Sequence, residues 1–134
     1  MITKYKIFES KNRDLISNLQ SYLQNKLWVD IKFKEGAEKL SSKFNDIYSG
    51  DQSIIPGKTY KLAISKREGI EGWFIISGEY KVNSQEEKER LDVRDVASYA
   101  LLYSPYQFLQ LLKYVDKEYL ENLKMMSDVE KYNL

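Results

Sequence analysis

Three short stretches of the chain alternate apolar and polar residues with the period of two that marks a half-buried strand. Leu27–Lys34 sets Leu27, Val29, Ile31 and Phe33 against Trp28, Asp30, Lys32 and Lys34. Thr59–Ser65 sets Tyr60, Leu62 and Ile64 against Thr59, Lys61, Ala63 and Ser65. Gly72–Val82 sets Phe74, Ile76, Tyr80 and Val82 against Trp73, Ile75, Ser77, Glu79 and Lys81. The turn between the last two, with Gly69 and Gly72 free to take positive φ, predicts an antiparallel hairpin. A short edge strand is also expected over Ile2–Glu9, where Lys4 and Lys6 alternate with Tyr5 and Ile7.

Helical spacing fills much of the rest. Ser10 or Asn12 offers an N-cap to a helix over Lys11–Asn25, whose apolar stripe is Leu15, Ile16, Leu19, Tyr22 and Leu23. Gly36 ends the first strand, and Ala37, Leu40, Phe44, Ile47 and Tyr48 predict a shorter helix. Ser49–Lys58 reads as loop, with Pro56-Gly57 in the central positions of a type II turn. Ser84–Glu87 is a capping box, opening a helix expected over Gln85–Tyr103. Ser104–Gln107 is a second one, with Pro105 at N1. It starts a helix carrying Phe108, Leu111, Leu112, Val115, Tyr119, Leu123 and Met126, with Asp116 a point where that helix could divide in two.

These elements predict one α+β domain over residues 1–134. An antiparallel sheet of three or four strands packs with an N-terminal helix, a short helix and two long C-terminal helices. The length and the 43% apolar content suit a single soluble domain with its own core. No apolar run approaches the roughly 20 residues of a membrane span, and "MITKYKIFES" has no uninterrupted apolar stretch for a signal peptide. The expected location is the cytoplasm, with no membrane partner.

Composition removes several chemistries. With no cysteine there is neither a disulfide framework nor a thiolate. With no histidine there is no Cys/His zinc site, imidazole base or Ser–His–Asp triad. No cofactor is expected, and hard cations on carboxylates are the one metal chemistry left. A net charge of +1 gives no whole-molecule field for nucleic acid. Abundant Lys, Ile, Asn and Tyr fit an A+T-rich coding sequence, as in a low-GC bacterium, its phage or its plasmid.

If the three strands share a sheet, its less apolar face carries Trp28, Asp30, Lys32, Lys34, Lys61, Trp73, Ile75, Glu79 and Lys81. The first reading is structural: a C-terminal helix covers both indoles and leaves the lysines at the rim. The alternatives are a protein-contact face and a stacking platform for single-stranded nucleic acid, where two rings with lysines around them can hold bases. Glu79-Tyr80-Lys81 is similar to the last part of the Asp…Glu-x-Lys signature of metal-dependent nucleases, whose acids hold Mg²⁺ and whose Lys steadies the attacking water. That reading needs Asp30 or Asp51 beside Glu79, since Thr59–Ser65 contains no acid. The acidic run Glu86–Asp95 is interleaved with Lys88, Arg90 and Arg94 and reads as a solvated helix start. Among eleven tyrosines, Tyr103 and Tyr106 flank the Ser-Pro break and are the two expected to be exposed.

The resulting expectation is a small non-enzymatic cytoplasmic binding protein that modulates another protein by contact. An accessory or anti-defence factor of a phage or mobile element is one instance. Single-stranded nucleic-acid binding and a Mg²⁺-dependent nuclease are the alternatives. The residues expected to carry binding are Trp28, Lys32, Lys34, Lys61, Trp73, Ile75, Lys81, Tyr103 and Tyr106, with none assigned to catalysis or a metal.

Overall fold

The computed structural model describes residues 4–24, 26, 28–44, 53–65, 72–77 and 100–132, with side chains over 13–24, 26, 28–44, 53–65, 72–77 and 100–129. Four strands, β1 (Val29–Lys32), β2 (Thr59–Ile64), β3 (Trp73–Ser77) and β4 (Ala100–Tyr103), form an antiparallel sheet in chain order. The α-helices are α1 (Lys4–Gln24), α2 (Ala37–Lys43), α3 (Pro105–Leu111) and α4 (Lys117–Tyr132). A 3₁₀ turn, Leu112–Tyr114, joins the last two. The architecture is α+β, with consecutive strands as neighbours in the sheet.

Register decides which side chains share a face. Val29 pairs with Leu62, Leu62 with Ile75, and Ile75 with Leu101, so these four form one row. Ile64, Trp73 and Tyr103 form another row on the same face. This face meets the helices in the main core, with Leu15, Ile16, Leu19 and Leu23 from α1, Phe108, Leu109 and Leu111 from α3 and Leu123 from α4. Trp73 is 1% exposed, and its ring lies flat on that of Phe108, with centroids 4.5 Å apart and 6° between planes. Each such large apolar side chain contributes roughly 1.5–3 kcal/mol by leaving water. The opposite face holds a smaller cluster, Ala63, Phe74, Ile76 and Ala100, with Trp28 and Leu102 packed against it. All described members of that cluster come from the strands or, for Trp28, from the residue before β1.

Several expectations are corrected. Trp28 and Trp73 lie on opposite faces of the sheet, so no single face carries both rings with the lysines. Ile75 likewise belongs to the core face. Both faces of β3 are apolar, so alternation left no polar marker to say which one met the helices. Pairing of Ile75 with the core residue Leu62 settles it, because a slip of one residue moves every side chain to the other face.

The stretch expected as an N-terminal strand is helical from Lys4. Tyr5 and Phe8 stand ten and seven residues before Leu15, in register with the stripe of α1, and nothing between them breaks a helix.

The helix expected over Gln85–Tyr103 does not reach Tyr103, since Ala100–Tyr103 is β4; residues 85–99 lie outside the described residues. Ala-Leu-Leu-Tyr is a continuous apolar run before Ser-Pro, and both its faces are covered. The residue before proline, Ser104, is extended with φ −69° and ψ 163°.

Gly72, free to take positive φ, does not use that freedom; among the described residues the positive-φ glycines are Gly36 and Gly57. At Gly72 the missing Cβ makes room for Leu102, whose Cδ1 would lie 2.6 Å from it.

Other expectations hold with adjusted limits. The hairpin is present as β2–β3. Lys58 N–H donates to Ile55 O at 3.3 Å across Pro56-Gly57, and Gly57 has φ 85°, as a type II turn requires. α2 stops at Lys43 with Phe44 as its C-cap, while Ile47 and Tyr48 lie outside the described residues. The helix after Ser104 does divide at Asp116. Val115 leaves helical geometry at ψ 134° and bridges Phe33, and the Asp116 carboxylate accepts from Glu118 N–H at 3.2 Å to start α4.

Candidate functional site

Two places hold the described candidate residues. The first is the β1–β2 edge. Here the lysine of the Asp30–Lys61 cross-strand pair reaches back, its Nζ 4.2 Å from the centre of the Trp28 ring. Such a cation–π contact is worth about 0.5–1 kcal/mol at a wet site. Trp28 is half-buried against the second-face cluster, Lys32 is half-buried, and Asp30 and Lys34 are exposed. Among the described residues this edge therefore carries one half-buried indole, with a lysine of the same chain over its ring. Trp73 and Ile75 are core, and Lys81 lies outside the described residues.

The nuclease constellation is also only partly in view. Glu79 and Asp51 lie outside the described residues, and Asp30 opposes Lys61. Among the described residues, no three carboxylates gather as metal ligands. None of their helices is long and apolar enough to cross a membrane.

The second place surrounds the segment 53–58, where two strands and α2 converge. Tyr103, expected at the surface, is 3% exposed, which corrects that expectation. Its hydroxyl meets Ser41 Oγ at 2.6 Å, and Ser41 Oγ accepts from Ile54 N–H at 3.1 Å. The next backbone N–H, of Ile55, donates to the Tyr60 hydroxyl at 2.9 Å. Two consecutive amides that no helix or strand satisfies are thus held by side-chain oxygens reaching up from beneath. Burial pushes the Tyr103 hydroxyl up to about 12, opposed by the Ser41 hydrogen bond and helped by nearby Tyr60. Burial raises Tyr60 too, against the lowering effect of the Ile55 amide. Phe44 meets Tyr103 edge-on at 6.3 Å, and Lys58 Nζ stands 5.3 Å from the Tyr60 ring centre.

Held this way, the turn presents Ile55 to solvent at 55% exposure. Tyr106 is 60% exposed, as expected, and its backbone is equally constrained. Ser104 Oγ accepts from Gln107 N–H at 3.2 Å, Gln107 Oε1 accepts from Ser104 N–H at 2.9 Å, and Pro105 occupies N1. Sequence reading passed over Ser41 and Ile55. Ser41 sits among polar residues on a short helix, and its partners are 13 and 62 residues away, so no local pattern marks it.

No protein-family model matches the chain, and no curated protein or solved structure compared with it does either.

Proposed function

We propose that this protein is a non-enzymatic binding protein acting by contact with another protein. The observation that carries the reading is Tyr106, a large exposed ring on a backbone fixed by a reciprocal capping box and Pro105. An aromatic residue on a backbone already fixed loses less conformational freedom on binding than one on a mobile loop, and tyrosine is enriched where protein surfaces meet. Ile55, on the turn pinned by Tyr60, adds a second fixed apolar contact. A role as an accessory or inhibitory factor of a phage or mobile element, in the cytoplasm, rests on size and composition.

A photo-crosslinking side chain in place of Tyr106, introduced in the producing cell, tests this. The expected result is a discrete adduct with one protein, missing when the same group replaces the exposed Lys39 of α2. Irradiation that yields no adduct at 106, or the same adducts at both positions, refutes it.

A further inference from the structure

The charged residues of this chain are unevenly spread. Asp, Glu, Lys and Arg make up 31% of it, yet none occurs from Leu15 to Gln24 or from Ala100 to Leu112. The fold sets these two stretches side by side. In the sheet order β1-β2-β3-β4, α4 packs over β1 and α1 over β2, and Phe108 of α3 stacks on Trp73 of β3. The helices over the core face therefore lie in the order α4, α1, α3, with α1 packed against both neighbours. Asn18 marks the α4 side of α1, its Nδ2 donating to Ser127 Oγ at 3.1 Å. Gln20 lies about 200° further round the helix, on the side away from α4. Outside the core contacts these helices present Gln20, Ser21 and Gln24 from α1 and Tyr106, Gln107 and Gln110 from α3. Ser21, Gln24 and Tyr106 are exposed, and the other three are half-buried. Tyr106 and Gln110 stand one turn apart on one face of α3. Among the described residues, charge begins only at the margins. Asp14 precedes the α1 stretch and Lys26 follows it, Lys113 follows α3, and Lys39 and Lys43 are carried by neighbouring α2.

We propose that this α1–α3 surface docks a protein partner whose own contact surface is uncharged, built of apolar, hydroxyl and amide groups. The proposal rests on Tyr106 as a protein contact and deepens it by naming the partner's chemistry. A charged partner group would leave water to face a surface that offers it no opposite charge, which costs free energy. Glutamine and serine side chains, by contrast, can both donate to and accept from amides and hydroxyls. Depletion of charge around an aromatic residue is also what sets the core of an interface apart from other protein surface.

The test uses the photo-crosslinking chain with the reactive group at position 106, irradiated in lysate of the producing cell. Sodium chloride is set at about 0.1 M and about 1 M, which shortens the reach of charge from about 10 Å to about 3 Å. The yield of the discrete adduct is expected to agree within about twofold at the two concentrations. Ser21→Glu and Ser21→Lys each place a charge in the surface, at an exposed position where both residues favour helix more than serine does. Both are expected to cut the yield about tenfold or more, with helix content by circular dichroism unchanged. Asn122→Glu and Asn122→Lys, at an exposed position of α4, are expected to leave the yield as it was. Loss of the adduct at high salt overturns the inference and leaves the contact at Tyr106 standing. So does a gain in yield with either sign of charge at position 21, no effect of either, or an equal loss in the Asn122 variants. An adduct of twice the chain's own mass makes the occupant a second copy and overturns it as well. No adduct under any condition removes the Tyr106 contact and this inference together.

Discussion

Ser41 is a small residue, yet replacing it with alanine is expected to cost more than removing the hydroxyl of Tyr103. The reason is what each change leaves behind. In Ser41→Ala the Tyr103 hydroxyl and the Ile54 N–H both lose their partner, and both are buried. A buried polar group left unsatisfied costs about 1–3 kcal/mol, so two of them give a loss of roughly 2–6 kcal/mol. In Tyr103→Phe the Ser41 oxygen still accepts from Ile54 N–H, and the lost group takes its own desolvation with it. That variant is expected to cost about 1 kcal/mol. In the double variant the orphaned tyrosine hydroxyl is gone, so its cost falls below the sum of the singles and lies close to Ser41→Ala alone. Urea denaturation followed by circular dichroism measures all three, and a change of 2 kcal/mol moves the midpoint by about 1 M at a slope of about 2 kcal/mol/M. If Tyr103→Phe costs as much as Ser41→Ala, or if the two losses simply add, the shared-partner account of this cluster is wrong.

The same tyrosine predicts alkaline behaviour. Its hydroxyl titrates near 10.0 in the unfolded chain and about 12 in the fold, so the unfolded chain releases that proton first as pH rises. The stability it contributes is complete below pH 10 and is lost between 10 and 12, roughly 3 kcal/mol in all. Tyr103→Phe should therefore lose less stability than the parent on going from about pH 9 to about pH 11, and parallel losses would contradict the burial. Trp73 and Trp28 should separate by fluorescence: Trp28→Phe leaves a blue-shifted emission that iodide does not quench, and Trp73→Phe leaves a redder, quenchable one. Two identical spectra would mean that the faces are wrongly assigned. Trp73→Ala, which also strips the stacking partner from Phe108, is expected to destabilise by about 3–5 kcal/mol in the same urea assay. Ser104→Ala should cost about 1 kcal/mol and Ser104→Asp much less, because a carboxylate can take over the cap; equal losses would remove the cap from the account.

Local signals survive folding when a residue's partners are close in the chain. The Ser104–Gln107 box, the Pro56-Gly57 turn, the β2–β3 hairpin and the stripe of α1 from Leu15 to Leu23 were all legible for that reason. Each is stabilised by backbone geometry or by neighbours a few residues away, and the alternation in β1 and β2 named their core sides correctly. Where both sides of an element are buried the pattern carries no direction. That is why β3 was turned over, with Trp73 and Ile75 read as facing the lysines, and why the apolar run Ala100–Tyr103 was read as the end of a helix. The role of Ser41 and the burial of Tyr103 depend on contacts between distant segments. Amino-acid order alone set the available elements and excluded histidine and cysteine chemistry. Strand register decided which side chains became core, because a shift of one residue turns every side chain to the other face.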